Sequence, residues 1–162
     1  MAKYILIAAT LVASGLAMAL PEDRDQPIEI NADSALINEK ENRAQYQGAV
    51  EVTQGTFRLN GDQIDLATNA NNEVERFVAI GQPARFQSLR RKTDNAPVTG
   101  RAKQISYSYD DEHVVLTGDA EVRSEGSVFS GPEITYDLES GEVTAAGSRS
   151  DRVNMTMQPK KQ

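Results

Sequence analysis

The chain has 162 residues, a formal net charge of −7 and a pI near 4.8. That length suits one domain with its own core, and the acidic balance argues against nucleic acid as a partner, because contact with phosphates needs a basic face. Cysteine is absent, which excludes disulfides, thiolate metal sites and a lipid-bearing N-terminal Cys, and the lack of Trp leaves a core built mainly from aliphatic side chains.

The N-terminus has the pattern of an export signal. Lys3 supplies the positive start, Ile5 to Leu16 is nearly all apolar, and Ala17 and Ala19 present small residues at the two positions a signal peptidase reads. The pattern predicts a cleaved signal over residues 1–19 and a mature domain over 20–162. The apolar run is short for a membrane anchor. Cleavage removes Lys3 and leaves 16 basic against 24 acidic residues, a net charge of −8.

Beyond residue 20, Gly, Asn, Asp and Ser interrupt the chain every few positions. Short runs with period two lie between them: "IEI" (28–30), "VEV" (50–52), "IDL" (64–66), "ISY" (105–107), "ITY" (134–136) and "VNMTM" (153–157). This is the signature of half-buried strands. "NEVERFVAI" (72–80) could be argued as a helix, but Val74, Phe77, Val78 and Ile80 fit a strand equally well.

The chain also repeats itself. "QGAVEV" (47–52) returns as "TGDAEV" (117–122), an offset of 70 that also aligns Ala32 with Ala102, Gly61 with Gly131 and Ile64 with Ile134. A half-length echo joins "GDQIDL" (61–66), "AKQISY" (102–107) and "GPEITY" (131–136), each read as a turn followed by a strand. Gly48, Gly81, Gly118 and Gly147 then close four units. One such unit cannot bury its apolar face alone, so the units must stack. The predicted fold is all-β: an open, twisted jelly roll or solenoid-like stack of antiparallel strands around a hydrophobic groove. "RRKTDNAPVTG" (90–100) reads as a loop.

Alternation predicts the lining of that groove. Ile28, Ile30, Val50, Val52, Ile64, Leu66, Ile105, Tyr107, Ala120, Val122, Ile134 and Tyr136 point one way. Glu29, Glu51, Asp65, Ser106, Glu121 and Thr135 point the other. The stack should begin at "QPIEINA" (26–32) and end at "RVNMTMQP" (152–159), where Pro159 follows the strand rather than blocking it. This exposes one edge at Ile28, Glu29 and Ile30 and another at Val153, Met155 and Met157. A first-to-last contact between copies is heterologous and builds a filament.

Catalytic patterns are scarce. His113, in "DDEHVV", reads as part of a solvated turn rather than a metal ligand. No G-x-S-x-G, G-x-G-x-x-G, P-loop or EF-hand spacing occurs, and no metal or cofactor is expected. Asp62, Asp65, Glu133 and Asp137 sit beside turns on the outer face. The basic residues Arg85, Arg90, Arg91, Lys92, Arg101 and Lys103 reverse the local sign, as a solvated loop or as a contact for an anionic head group. A polysaccharide lyase using Asp62 and Asp65 and a ligand-free structural filament are the competing functions.

"DRDQPIEINADSA" (23–35), "GAVEVTQGTFRLNGDQIDL" (48–66), "GQPARF" (81–86) and "VVLTGDAEV" (114–122) resemble the OstA-like, LptA-type family of periplasmic lipopolysaccharide-transport bridge proteins. The ending "VNMTMQPKK" is similar to its pseudomonad-type members. The resemblance spans the mature chain and implies a non-enzymatic periplasmic protein that binds lipopolysaccharide by its lipid A acyl chains. It also implies head-to-tail assembly and contacts with an LptC-like inner-membrane protein and an LptD-like outer-membrane protein. Family ligand contacts fall on Ile28, Phe86 and Tyr107, and Arg24 stands where a well-known member of the family has Thr. An inner-membrane sister subunit shares the fold and differs by keeping its N-terminal anchor.

Overall fold

The computed structural model describes residues 23–89 and 96–158. The expected signal segment, Arg90, Arg91 and Lys92 of the basic group, and Pro159 lie outside the described residues. The rest is one antiparallel sheet of ten strands: β1 (Glu29–Asn31), β2 (Ser34–Asn38), β3 (Arg43–Gln54), β4 (Phe57–Thr68), β5 (Val74–Ser88), β6 (Val98–Ser108), β7 (His113–Ser124), β8 (Ser127–Asp137), β9 (Val143–Ala146) and β10 (Asn154–Met157). "NEVERFVAI" falls at the start of β5 and is strand. Among the described residues a 3-10 turn, Asp23–Asp25, precedes the sheet, and no helix is long and apolar enough to cross a membrane.

Each long strand pairs with the next, β3 through β8, as a meander. The hairpins joining β3 to β4 and β7 to β8 are tight. Glu125 (φ 50°) and Gly126 (φ 81°) form the two-residue link from β7 to β8, both in the left-handed region that suits the sheet's twist. The two outermost layers are broken in half: β1 and β2 both pair with β3, and β9 and β10 both pair with β8.

A line of irregularities crosses the middle of the sheet. Register shifts between Gln47 and Val50, Asn60 and Gln63, Ile80 and Ala84, Arg101 and Gln104, and Thr117 and Ala120. Gly48 and Ala49 (φ 84° and 43°) and Gly118 and Asp119 (φ 81° and 52°) occupy two of these sites. An extra residue bends a strand and sharpens its twist. With the bulges aligned from strand to strand, the whole sheet folds along them into two walls. The walls meet face to face: the Phe57 ring, early in β4, lies 4.6 Å from that of Tyr107, late in β6. Phe86, late in β5, lies 6.4 Å from Tyr136, late in β8.

This corrects the reading of the glycines. Gly48, Gly81 and Gly118 do not separate units; they lie inside β3, β5 and β7. Likewise "GDQIDL", "AKQISY" and "GPEITY" are the second halves of β4, β6 and β8 rather than strands that follow turns. A bulge and a turn need the same backbone freedom, so sequence alone gives them the same residues. The 70-residue echo has a structural counterpart: β3 and β4 repeat as β7 and β8, bulge for bulge and hairpin for hairpin.

The walls leave no room for a side chain at Gly100. A Cβ there would come within 2.2 Å of the Phe86 ring and 2.8 Å of Leu116. Gly100→Ala should therefore cost about 1–3 kcal/mol through overpacking and lower the thermal midpoint by several degrees. An unchanged midpoint would mean that the Phe86 ring and Leu116 do not pack over Gly100.

Candidate functional site: an apolar interior with two free edges

The inner faces of the two walls form one continuous apolar interior. Val50, Val52, Ile64, Phe86, Ile105, Tyr107, Ala120, Val122, Ile134 and Tyr136 are buried there, and Ile28, Ile30 and Leu66 are half-buried against them. Alternation missed Phe57, Leu59, Phe77, Val98, Val114 and Leu116, which are equally buried. For Phe57 and Leu59 the cause is the bulge line. In β4 the inward positions are 57 and 59 before the bend but 64 and 66 after it, so parity flips within one strand. Testing period two separately on each side of Gly61 would find these two.

The interior is almost purely apolar. Gln54 and Ser88 are its buried polar residues. Burial pushes the Tyr107 hydroxyl well above its ordinary pKa, so it stays neutral and donor-competent. Gln54 holds a strap across one end. Its Nε2 donates to the backbone oxygens of Arg24 and Gln26, each at 3.0 Å, and to the Tyr109 hydroxyl at 2.9 Å. Arg24 lies over the Tyr109 ring at 4.6 Å and pairs with Glu112 at 3.1 Å. Asp23 accepts a hydrogen bond from the Thr56 hydroxyl. The segment 23–26 thus closes the end of the interior where β3 and β4 turn.

The sheet has two free edges. At one, Glu29 and Ile30 lie in β1 with Ile28 just before it. At the other, Met155 and Met157 lie in β10 with Val153 just before it. The remaining halves of these edges, β2 and β9, were not singled out in sequence. β2 exposes Leu36 (70%) and Ile37 (64%), and β10 exposes Met155 (52%) and Met157 (68%). Large apolar side chains so exposed at both ends of a sheet are features that soluble monomers rarely keep.

The polar residues are engaged structurally. His113 opens β7, its Nδ1 2.6 Å from the Asp111 carbonyl and its Nε2 3.7 Å from Asp137. Backbone N–H groups of Ser140 and Glu139 hold Asp137 below the usual carboxylate range. Asp65 accepts from Gln45 and Gln63. Among the described residues no three His, Asp or Glu side chains are grouped as metal ligands.

A single bent antiparallel sheet with an apolar interior and split edge strands defines a class of open, folded-sheet β-domain. Residues 29–142 match the family described as LptA/(LptD N-terminal domain) LPS transport protein, and the chain belongs to that family. It is 35% identical to the lipopolysaccharide export system protein LptH of Pseudomonas aeruginosa, over 93% of this chain and 89% of LptH. It is 31% identical to the lipopolysaccharide export system protein LptA of Escherichia coli K12, over 97% of this chain and 84% of LptA. The crystal structure of P. aeruginosa LptH, described as the LptA-homologous periplasmic component of a lipopolysaccharide transport device, superposes with a TM-score of 0.79 at 33% identity. The match covers 86% of this chain and all of that one.

The Gln54 amide bonds the strap's backbone at two places. Gln54→Ala should speed hydrogen exchange across residues 23–28 while leaving β4 to β7 protected. Unchanged exchange at the N-terminus would show that Gln54 does not hold it.

Proposed function

We propose that the chain is a periplasmic lipopolysaccharide carrier whose interior takes the lipid A acyl chains. The continuous apolar inner face shared by both walls is the observation that carries this reading. The walls are packed on each other, so acyl chains enter by parting them about the bulge line. Each methylene transferred from water gains roughly 0.8 kcal/mol. Contacts between the walls are replaced by contacts with the lipid, so opening costs little exposed apolar surface once a chain is present. Phe86 and Tyr107, on opposite walls, are the side chains that first meet it, with Ile28 and Ile30 beside the strap. The saccharide and its phosphates stay in water.

The free edges make the carrier a segment of a longer path. β1 and β2 at one end and β9 and β10 at the other offer unpaired backbone groups and exposed apolar side chains. They suit strand addition by a second copy, by an LptC-like protein or by an LptD-like protein. Such pairing joins the interiors end to end, and lipid moves along them without crossing water. The chain has no nucleotide-binding motif, so direction comes from an energised partner. The protein acts as a carrier and not as an enzyme.

A photocrosslinking side chain at Phe86 should capture lipopolysaccharide in cells, and one at outward-facing Glu51 should not. Capture at Glu51 with none at Phe86 would place the lipid on the outside and overturn the interior model. Met155→Asp combined with Met157→Asp should shift purified protein from concentration-dependent assemblies to monomer in sedimentation. Assemblies that persist would exclude β10 as an assembly edge.

A further inference from the structure

The outer face of one wall carries a depression of about 430 Å3 that lipid transport through the interior does not use. Strands β4 to β7 form it. Its rim includes Asn60, Arg85, Gln87, Arg101, Glu121 and Arg123, and its floor is the backbone at Gly100 above the Phe86 ring. In a chain of net charge −7 this spot gathers three guanidinium groups against one carboxylate. Glu121 serves two of them, with Arg101 at 2.9 Å and Arg123 at 2.8 Å. Burial opposes ionisation of Glu121, but its bonds to Arg101 and Arg123 prevail and hold its pKa below the usual value. It therefore stays charged and fixes both guanidinium groups in place.

Arg85 is left over. The β5–β6 register sets it directly opposite Arg101. Like charges facing each other on adjacent strands repel. Among the described residues Arg85 makes no ion pair, and it is exposed. With three arginines against Glu121, the described rim holds two positive charges in excess, on side chains whose planar forks match a tetrahedral oxyanion.

We propose that this depression is a site for a dianionic phosphate group, with Arg85 and Arg101 as the binding groups and Glu121 and Arg123 as the frame that orients Arg101. The dianion matches the two excess positive charges. Its source is either free phosphate or the phosphate of a glycolipid head group. The second case alone rests on the carrier reading above, with the head group folding over the lip of the wall.

Calorimetric titration separates these cases, with three probes: inorganic phosphate, a diphosphorylated lipid A, and its dephosphorylated form. Arg85→Ala, an exposed position expected to leave the fold intact, should weaken inorganic phosphate about tenfold, the loss of one charge-assisted contact. Arg85→Lys should recover part of it. If the head group is the source, Arg85→Ala also weakens the diphosphorylated lipid about tenfold and leaves the dephosphorylated form unchanged. Loss confined to inorganic phosphate keeps the site and assigns it to the free anion. No binding of either phosphate probe that depends on Arg85 overturns the site. Failure of the dephosphorylated lipid to bind the unaltered protein overturns the carrier reading instead.

Discussion

The backbone hydrogen bonding of one continuous sheet is the constraint on which everything else here depends. A single antiparallel sheet with an apolar face must hide that face. With no helix layer among the described residues to cover it, the sheet has to fold onto itself. Six long strands can do so together only if each bends at the same level, and the aligned register shifts from β3 to β8 provide that bend. The bulges cost a few ladder bonds and strain Ala49 and Asp119 into the left-handed region. The return is an interior made of two walls that need no other element.

Folding a sheet in this way leaves its ends unpaired. A closed barrel would join first strand to last; here β1 with β2 and β9 with β10 remain as separate borders. Both are broken at the level of the bend, because a two-piece border follows the fold more easily than one long strand. The same break divides each border into a short piece on each wall. In the proposed assembly a partner with the same fold meets matching halves, and the interior continues across the junction. The apolar interior, the bend and the exposed Met155, Met157, Leu36 and Ile37 are thus one design seen at three places.

Much of this is legible in the chain because period two survives within each half-strand. "VEV", "IDL", "ISY" and "ITY" identify real inward faces, and the edge positions at Ile30 and Met155 follow from their place at the ends of the pattern. The bend itself was hidden. Gly48, Gly81 and Gly118 look like punctuation between strands, since a bulge and a turn ask the same of the backbone. Gly61, inside β4, reads the same way, so the parity flip there is invisible, and Phe57 and Leu59 drop out of the predicted lining. The contact of Phe57 with Tyr107, fifty positions apart, depends on how the walls close. No local pattern encodes it. The arginine pair at 85 and 101 was seen as part of a basic group, but their direct opposition is a matter of register.

If lipid enters by parting the walls, the distance between them must grow, and measuring that distance tests entry most directly. The chain has no cysteine, so Gln87→Cys and Thr135→Cys place spin labels on the outer faces behind Phe86 and Tyr136 without further change. Pulsed electron spin resonance with and without lipopolysaccharide should show the distance lengthening as lipid binds, with the fold otherwise unchanged. Binding with no change in that distance would contradict the account, because the lipid would then be held without opening the interior.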